Sequence, residues 1–161
     1  MLLVACSAPT PERASISSAR PLPSASGADL EIVQQLRLSP AMLEALDAGI
    51  ALRFNYSIKA CDDSRLAASA IELSYSALTR RYALRGGDGE QRYFGRRSSL
   101  LAALDRIRLP LSDLASLQCA GVVVLALDLS ALPTPLRLPA LLLPAEWQLI
   151  SPPFAWSAAS N

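Results

Sequence analysis

The sequence predicts a mainly β protein, built on an antiparallel sheet or an immunoglobulin-like sandwich with two short helices, and with an α+β arrangement as the fallback. Apolar and polar residues alternate in several short runs, as they do in strands that bury one face. Segments rich in glycine or proline separate these runs. Hydrophobic residues make up 52% of the 161 residues and charged residues 18%, so the chain can bury a substantial core.

The first predicted elements are a strand and a helix. Residues 29–38 alternate loosely between apolar and polar side chains, which favours a strand. Ser39 is a suitable N-cap for a helix, and Pro40 suits its first position. Gly49 can end that helix about two and a half turns later.

An antiparallel meander is predicted next. The clearest strand begins at Leu52, and further alternating runs cover 71–76 and 81–85. The sequence 86–89 is Gly-Gly-Asp-Gly, whose residues tolerate positive φ and predict a turn. The turn leads into a short strand over 90–94.

The last third of the chain predicts a second helix and two strands. Ser98 is the expected N-cap, and Pro110 is expected to end the helix. Residues 122–129 are apolar on both faces until their end, which predicts a central strand. Prolines interrupt residues 132–144, which favours an edge strand with bulges.

Two tryptophans near the C-terminus, Trp147 and Trp156, are expected to close the domain. They could line a binding groove, but tryptophans at such a position more often pin a terminus onto the core.

The N-terminus resembles a bacterial lipoprotein signal. Residues 3–6 read Leu-Val-Ala-Cys, like the lipobox whose cysteine is lipidated, so Cys6 is the predicted lipidation site. A signal peptide needs a basic segment and about 7 to 15 apolar residues, and five residues precede Cys6. Either the start codon lies further upstream or the match is due to chance. We predict a truncated signal and a Pro-, Ser- and Ala-rich tether over 1–28, one β-rich domain over 29–157, and a tail over 158–161.

The other two cysteines, Cys61 and Cys119, have two open interpretations. In an oxidising compartment they can form a disulfide that closes a long loop. Alternatively they are buried free thiols that pack as small apolar groups. The chain contains no histidine, and two isolated thiols make a poor zinc site, so no metal or cofactor is predicted.

Several blocks of the chain resemble one family. They are Leu73–Tyr82 (Leu-Ser-Tyr-Ser-Ala-Leu-Thr-Arg-Arg-Tyr), Leu38-Ser39-Pro40, Leu129–Leu136, Glu146-Trp147-x-Leu149 and Pro153-Phe154-x-Trp156. In this order they resemble domain of unknown function 4390, an uncharacterised family of exported bacterial proteins, over about residues 29–157. The segment 61–68 is short and lacks the aromatic residues that such proteins often place there. The resemblance implies an envelope location and, loosely, genes beside those of a nitrogen-type sensor kinase pair. It implies no activity.

Arginines concentrate around the predicted hairpin at 81–97. Arg81 and Arg85 alternate to the same side of their strand, and with Arg92 they are predicted to form an anion-binding patch for phosphate or carboxylate groups. The alternative is an ordinary solvated sheet face. The formal net charge of +1 and an envelope location do not favour nucleic acid as a partner.

The sequence indicates no enzyme. Histidine, the commonest general base near neutral pH, is absent, and neither a nucleophile elbow nor a phosphate-binding loop leading into a helix is found. We expect an uncharacterised, non-catalytic interaction module that is tethered to the membrane through an N-terminal lipid. Its expected place is the periplasmic side of the envelope, with Ser7 beside Cys6 suiting an outer-membrane anchor. The expected partner is an envelope protein or the periplasmic region of a sensor kinase. The alternative is a carrier of a lipid or another apolar ligand.

Overall fold

The computed structural model describes residues 13–25, 27–61, 65–111 and 118–158, and it confirms a mainly β, antiparallel fold. The strands are β1 (Ala14–Ser24), β2 (Gly27–Leu36), β3 (Leu52–Ala60), β4 (Arg65–Ser76), β5 (Arg81–Arg85), β6 (Gln91–Phe94), β7 (Arg106–Leu111), β8 (Gly121–Leu127) and β9 (Phe154–Trp156). The helices are α1 (Pro40–Asp47), α2 (Arg97–Leu104), α3 (Thr134–Leu142) and α4 (Pro144–Trp147).

The strands form two sheets whose inner faces share one core. The first sheet has the order β1-β2-β7, and the second has the order β6-β5-β4-β3-β8-β9. All pairings are antiparallel among the described strands. A single cluster of buried apolar side chains draws on both sheets and on all four helices. The two sheets therefore fold around the same core.

The predicted tether over 1–28 is wrong for residues 14–24, which form β1. Ala14, Ile16 and Pro21 are buried in this strand, and it pairs with β2 along its whole length with a bulge at Ser17. β1 is an edge strand of its sheet, so one side of its backbone has no partner strand. Pro21 and Pro23 are two residues apart and direct their nitrogens to the same side of the strand, so both prolines are tolerated. The ordered domain therefore begins before residue 29.

Helix α1 forms where the sequence predicts it. The Ser39 side chain accepts a hydrogen bond from the backbone nitrogen of Met42 at 3.1 Å, so it is the N-cap. Pro40 occupies the first helical position, where its missing N–H is not needed. Gly49 adopts a φ of 87°, which lets the chain turn away after the helix.

The predicted meander is also confirmed. Strand β3 buries Leu52, Phe54, Tyr56 and Ile58, and each is at most 1% exposed. β4 and β5 follow in antiparallel register, and the turn after Arg85 leads into β6. Strict alternation predicted these strands because the inner face is buried and the outer face is not.

The second helix differs from its prediction at both ends. It begins at Arg97 after Arg96, without a side-chain cap, so Ser98 lies inside its first turn and is not the N-cap. It ends at Leu104, and Pro110 lies in β7, which the sequence analysis did not predict. β7 is the other edge of the first sheet, where a proline is tolerated.

The predicted edge strand over 132–144 is wrong, because this segment forms α3 and α4. Pro135 lies in the first turn of α3, where a proline costs no hydrogen bond. Strand β8 before it lies between β3 and β9, as expected of an internal strand. Trp147 and Trp156 are 4% and 5% exposed, so both pack into the core.

Candidate functional site

The predicted array of Arg81, Arg85 and Arg92 does not form, because Arg92 lies on the opposite face of the sheet. Side chains that are paired across two strands lie on the same face. Arg92 pairs with Leu84, whereas Arg85 pairs with Gln91. Leu84 is buried in the core, so Arg92 belongs to the core side of this edge strand.

The turn between β5 and β6 sets this register. Residues 86–90 form it, closed by a hydrogen bond from the Gly86 nitrogen to the Glu90 oxygen at 2.7 Å. The Asp88 carboxylate accepts a second hydrogen bond from the Glu90 nitrogen at 2.9 Å. Because one residue more or fewer in the loop exchanges the two faces of β6, the strand pattern alone could not place Arg92.

Arg81 and Arg85 do share the exposed outer face of the second sheet. Tyr93 joins them, since it pairs with Ala83, and it is 61% exposed. A groove of about 440 Å³ runs between Arg81, Tyr93 and Thr79. We call Arg81, Arg85 and Tyr93 the arginine face.

The Glu72 carboxylate lies on the same face of the sheet, next to Arg85 of the arginine face. Glu72 pairs with Arg85 on one side and with Arg53 on the other, so positive and negative charges alternate across three strands. Arg81 instead pairs with Ser76. Arg81 is therefore the guanidinium on this face that no acidic cross-strand neighbour opposes.

Arg92 lines a different groove, of about 420 Å³, between the first sheet and the β5–β6 turn. Its walls carry both signs of charge: Asp29, Glu31, Asp88, Glu90, Arg92, Arg106 and Arg108. Arg108 Nη2 lies 3.3 Å from Glu31 Oε2. The mixture of charges gives this groove no net preference for an anion.

Cys61 and Cys119 form a disulfide, the first of the two interpretations left open by the sequence. Cys61 follows β3 and Cys119 precedes β8, two strands that already pair. The Cys61 nitrogen donates to the Ala120 oxygen at 3.1 Å, and Trp156 Nε1 donates to the Cys119 oxygen at 3.1 Å. The bond thus lies at one end of the β3–β8 pair. Cys6 lies outside the described residues.

Helix α3 exposes leucines that the sequence analysis did not single out. Leu138, Leu141 and Leu142 are 69%, 65% and 76% exposed, and Leu143, directly after the helix, is 48% exposed. The opposite side of the helix contributes Ala140 to the core. We call the four leucines the leucine surface. Their spacing of three and four residues was the available signal, but the strand interpretation of 132–144 concealed it.

A hydrogen bond places the first described residue beside these helices. Arg13 Nη1 donates to the backbone oxygen of Glu146 in α4 at 3.3 Å. The Arg13 oxygen accepts from the Arg37 nitrogen at 2.7 Å. α4 contacts α3 and follows it after a single residue. The N-terminal end of β1 therefore lies beside α4, which adjoins the helix that carries the leucine surface.

One buried polar contact joins the two sheets. The Tyr56 hydroxyl lies 3.1 Å from Gln34 Oε1, and Gln34 Nε2 donates to the Leu104 oxygen at 2.9 Å. Burial raises the pKa of Tyr56 above its ordinary value, although its hydrogen bond to Gln34 acts in the opposite direction. The hydroxyl has no access to solvent, so this contact is structural.

The Asp128 carboxylate also has a structural role. Asp128 Oδ1 accepts a hydrogen bond from the Ser130 nitrogen at 3.0 Å, so it caps the short 3₁₀ turn at 129–131. Its side-chain hydrogen bond with Ser130 lowers the pKa of Asp128 below its ordinary value. Asp62 and Asp63 lie outside the described residues.

Within 13–25, 27–61, 65–111 and 118–158, no three His, Cys, Asp or Glu side chains are grouped to hold a metal ion. In the same part of the chain, no helix is long and apolar enough to cross a bilayer.

Comparison with known proteins identifies one family. Residues 12–157 match the family described as a domain of unknown function (DUF4390). This confirms the resemblance predicted from the sequence, and the match begins earlier than residue 29 because it includes β1. No curated protein and no solved structure matches the chain.

Proposed function

The chain belongs to the DUF4390 family, and from this premise we propose that it is a non-catalytic interaction module, tethered by a lipid on Cys6 to the periplasmic side of a bacterial envelope. The observation that carries the proposal is the disulfide between Cys61 and Cys119. Disulfides form and persist in oxidising compartments such as the periplasm and are rare in the cytosol. The pairing therefore supports export.

The arginine face is the proposed interaction surface. Arg81 is exposed and has no acidic residue opposite it, and Tyr93 adds an exposed aromatic ring beside the same groove. Arginine and tyrosine are both enriched at the centres of protein interfaces. A partner that presents carboxylates would complement this face, because a guanidinium can bind a carboxylate through two hydrogen bonds. The first candidate is an envelope protein such as the periplasmic region of a sensor kinase.

The compartment is tested through the two thiols in living cells. Cells that express the chain from the full upstream reading frame are treated with a membrane-permeant alkylating reagent, and the protein mass is measured before and after reduction. Cys61 and Cys119 are expected to react only after reduction. Alkylation of both without reduction would place the chain in a reducing compartment and would overturn the proposal.

The partner is tested by placing a photo-crosslinking amino acid at position 93. Irradiation is expected to yield one crosslinked envelope protein, and adding Arg81→Glu is expected to lower the yield at least about tenfold, since like charges then face each other. The control position is Gln35, an exposed residue of the other sheet. If position 93 gives no product, or the same products as position 35, the arginine face is not the interaction surface.

A further inference from the structure

The leucine surface is unusual because its side chains face away from the core. Leu138, Leu141 and Leu142 lie on the side of α3 opposite the buried Ala140, each at least 65% exposed. A surface helix ordinarily carries polar side chains on its solvent face. Contiguous exposed apolar groups of this kind mark contact with another protein or with a membrane.

The path of the chain from Cys6 favours the membrane over another protein as the contact of the leucine surface. β1 starts beside α4, where Arg13 donates to the Glu146 oxygen, so residues 6–13 connect Cys6 to the end of the molecule that carries the leucine surface. Seven residue steps span at most about 25 Å even when fully extended. A lipid on Cys6 would hold α3 close to the bilayer, while the β1–β2 turn points away from it.

From this placement we propose that the leucine surface inserts into the outer part of the lipid layer that anchors Cys6. This inference rests on the proposed lipid anchor and adds a second membrane contact to it. Interfacial apolar groups bury themselves about 5–10 Å deep at the headgroup boundary, and a second signal converts reversible binding into stable anchoring. The insertion fixes the orientation of the domain and directs the β1–β2 turn away from the membrane.

The test uses a chemical tether, so that it does not depend on lipidation in cells. Of the three cysteines, Cys61 and Cys119 form the disulfide, so a maleimide on a vesicle lipid would couple to Cys6. The full chain is coupled to vesicles whose phosphatidylcholine carries bromine atoms at stated depths. A tryptophan introduced by Leu142→Trp reports insertion, because bromine quenches it only at close range.

The matched control is Pro23→Trp. Pro23 is an exposed residue of β1, the strand that follows the tethered segment. It lies nine residues beyond Ala14, about 30 Å further along the strand. The unsubstituted chain gives the baseline emission of the buried Trp147 and Trp156. Above that baseline, bromine is expected to quench the tryptophan at position 142 and not the one at position 23. Equal quenching at both positions, or none at position 142, would overturn the insertion.

A second variant tests the apolar contact itself. Leu138→Ser combined with Leu142→Ser is expected to lower the partitioning of the untethered chain into vesicles at least about tenfold, since each leucine loses most of its apolar area. The two sites are exposed, so the fold is expected to persist. Self-association of the untethered chain that these substitutions abolish, without quenching in vesicles, would assign the surface to a second copy and refute the proposal.

The lipid anchor and the insertion can fail separately. Intact mass spectrometry of the protein from its host reports whether Cys6 carries a diacylglyceryl group. An unmodified Cys6 would refute the anchor, whatever the vesicles show. A lipidated Cys6 with an unquenched position 142 would refute the insertion and leave the anchor standing.

Discussion

Gln34 and Tyr56 form a buried polar pair between the two sheets, and the hydrogen bond between them can be tested by removing one group and then both. Gln34 is 1% exposed on β2, and Tyr56 is fully buried on β3 of the other sheet. The hydroxyl contacts the amide oxygen at 3.1 Å, and the amide nitrogen donates to the Leu104 oxygen at 2.9 Å. Each group that loses its partner inside the core costs about 1–3 kcal/mol.

The variants leave different numbers of groups unpaired. Tyr56→Phe leaves the Gln34 amide oxygen without its donor, which costs about 1–3 kcal/mol. Gln34→Leu leaves both the Tyr56 hydroxyl and the Leu104 oxygen unpaired, which costs about 2–6 kcal/mol. The double variant leaves only the Leu104 oxygen. It is therefore expected to be more stable than Gln34→Leu alone by about 1–3 kcal/mol.

Urea denaturation at pH 7, with the disulfide intact and an unchanged slope against urea, measures these free energies of unfolding. Tyr93→Phe is the control, because its hydroxyl belongs to a side chain that is 61% exposed, and its effect is expected to stay within about 0.5 kcal/mol. If adding Tyr56→Phe to Gln34→Leu lowers stability further, the buried hydroxyl is not paired with the amide and the reasoning fails.

The remaining predictions concern the same core and the disulfide. Replacing Cys61 and Cys119 by alanine is expected to lower the free energy of unfolding by about 4 kcal/mol, from the chain entropy of a loop of 58 residues, measured by urea denaturation. Gly121→Ala places a Cβ against the Trp156 ring and 2.5 Å from the Lys59 backbone oxygen, so it should lower the free energy of unfolding by more than about 2 kcal/mol and shift the tryptophan emission to the red. Burial raises the pKa of Tyr56 above 10.0, so near pH 10 this hydroxyl ionises in the unfolded chain but not in the folded one. The free energy of unfolding is therefore unaffected below pH 10 and falls above it, by about 1.4 kcal/mol at pH 11. Tyr56→Phe should abolish that part of the alkaline loss in denaturation curves at pH 9 and pH 11.

Local sequence patterns predicted those elements whose formation depends on neighbouring residues in the chain. The alternation of β3 reports one buried face, and the sequence Ser39-Pro40 followed later by Gly49 reports the two ends of a helix. β1 and α3 were mispredicted for a shared reason. In each, prolines suggested an interruption. A proline costs no hydrogen bond at a sheet edge, as in β1, or in the first turn of a helix, as at Pro135, and α3 also accommodates Pro139 in its interior.

The candidate surfaces depend on long-range register, which the sequence does not display. Arg92 joined the predicted array because its strand alternates, yet the length of the turn at 86–90 decides which face it occupies. Likewise, no pattern around Arg13 indicates that it contacts Glu146, 133 residues away. The pairing of β1 with β2 places Arg13 beside Arg37, and helix α1, which follows Arg37 in the chain, contacts α4.

The corrected start of the domain changes what a lipid on Cys6 can do. If the domain began at Asp29, 23 residue steps would allow the anchor a reach of about 80 Å, and no part of the surface would be held near the bilayer. Since Arg13, directly before β1, already lies beside α4, seven residue steps remain and the reach falls to about 25 Å. A short connection orients the domain, whereas a long one only retains it. β1 contains prolines, and its composition suggested a tether. Because it is instead a folded strand, a lipid on Cys6 would hold the leucine surface near the bilayer.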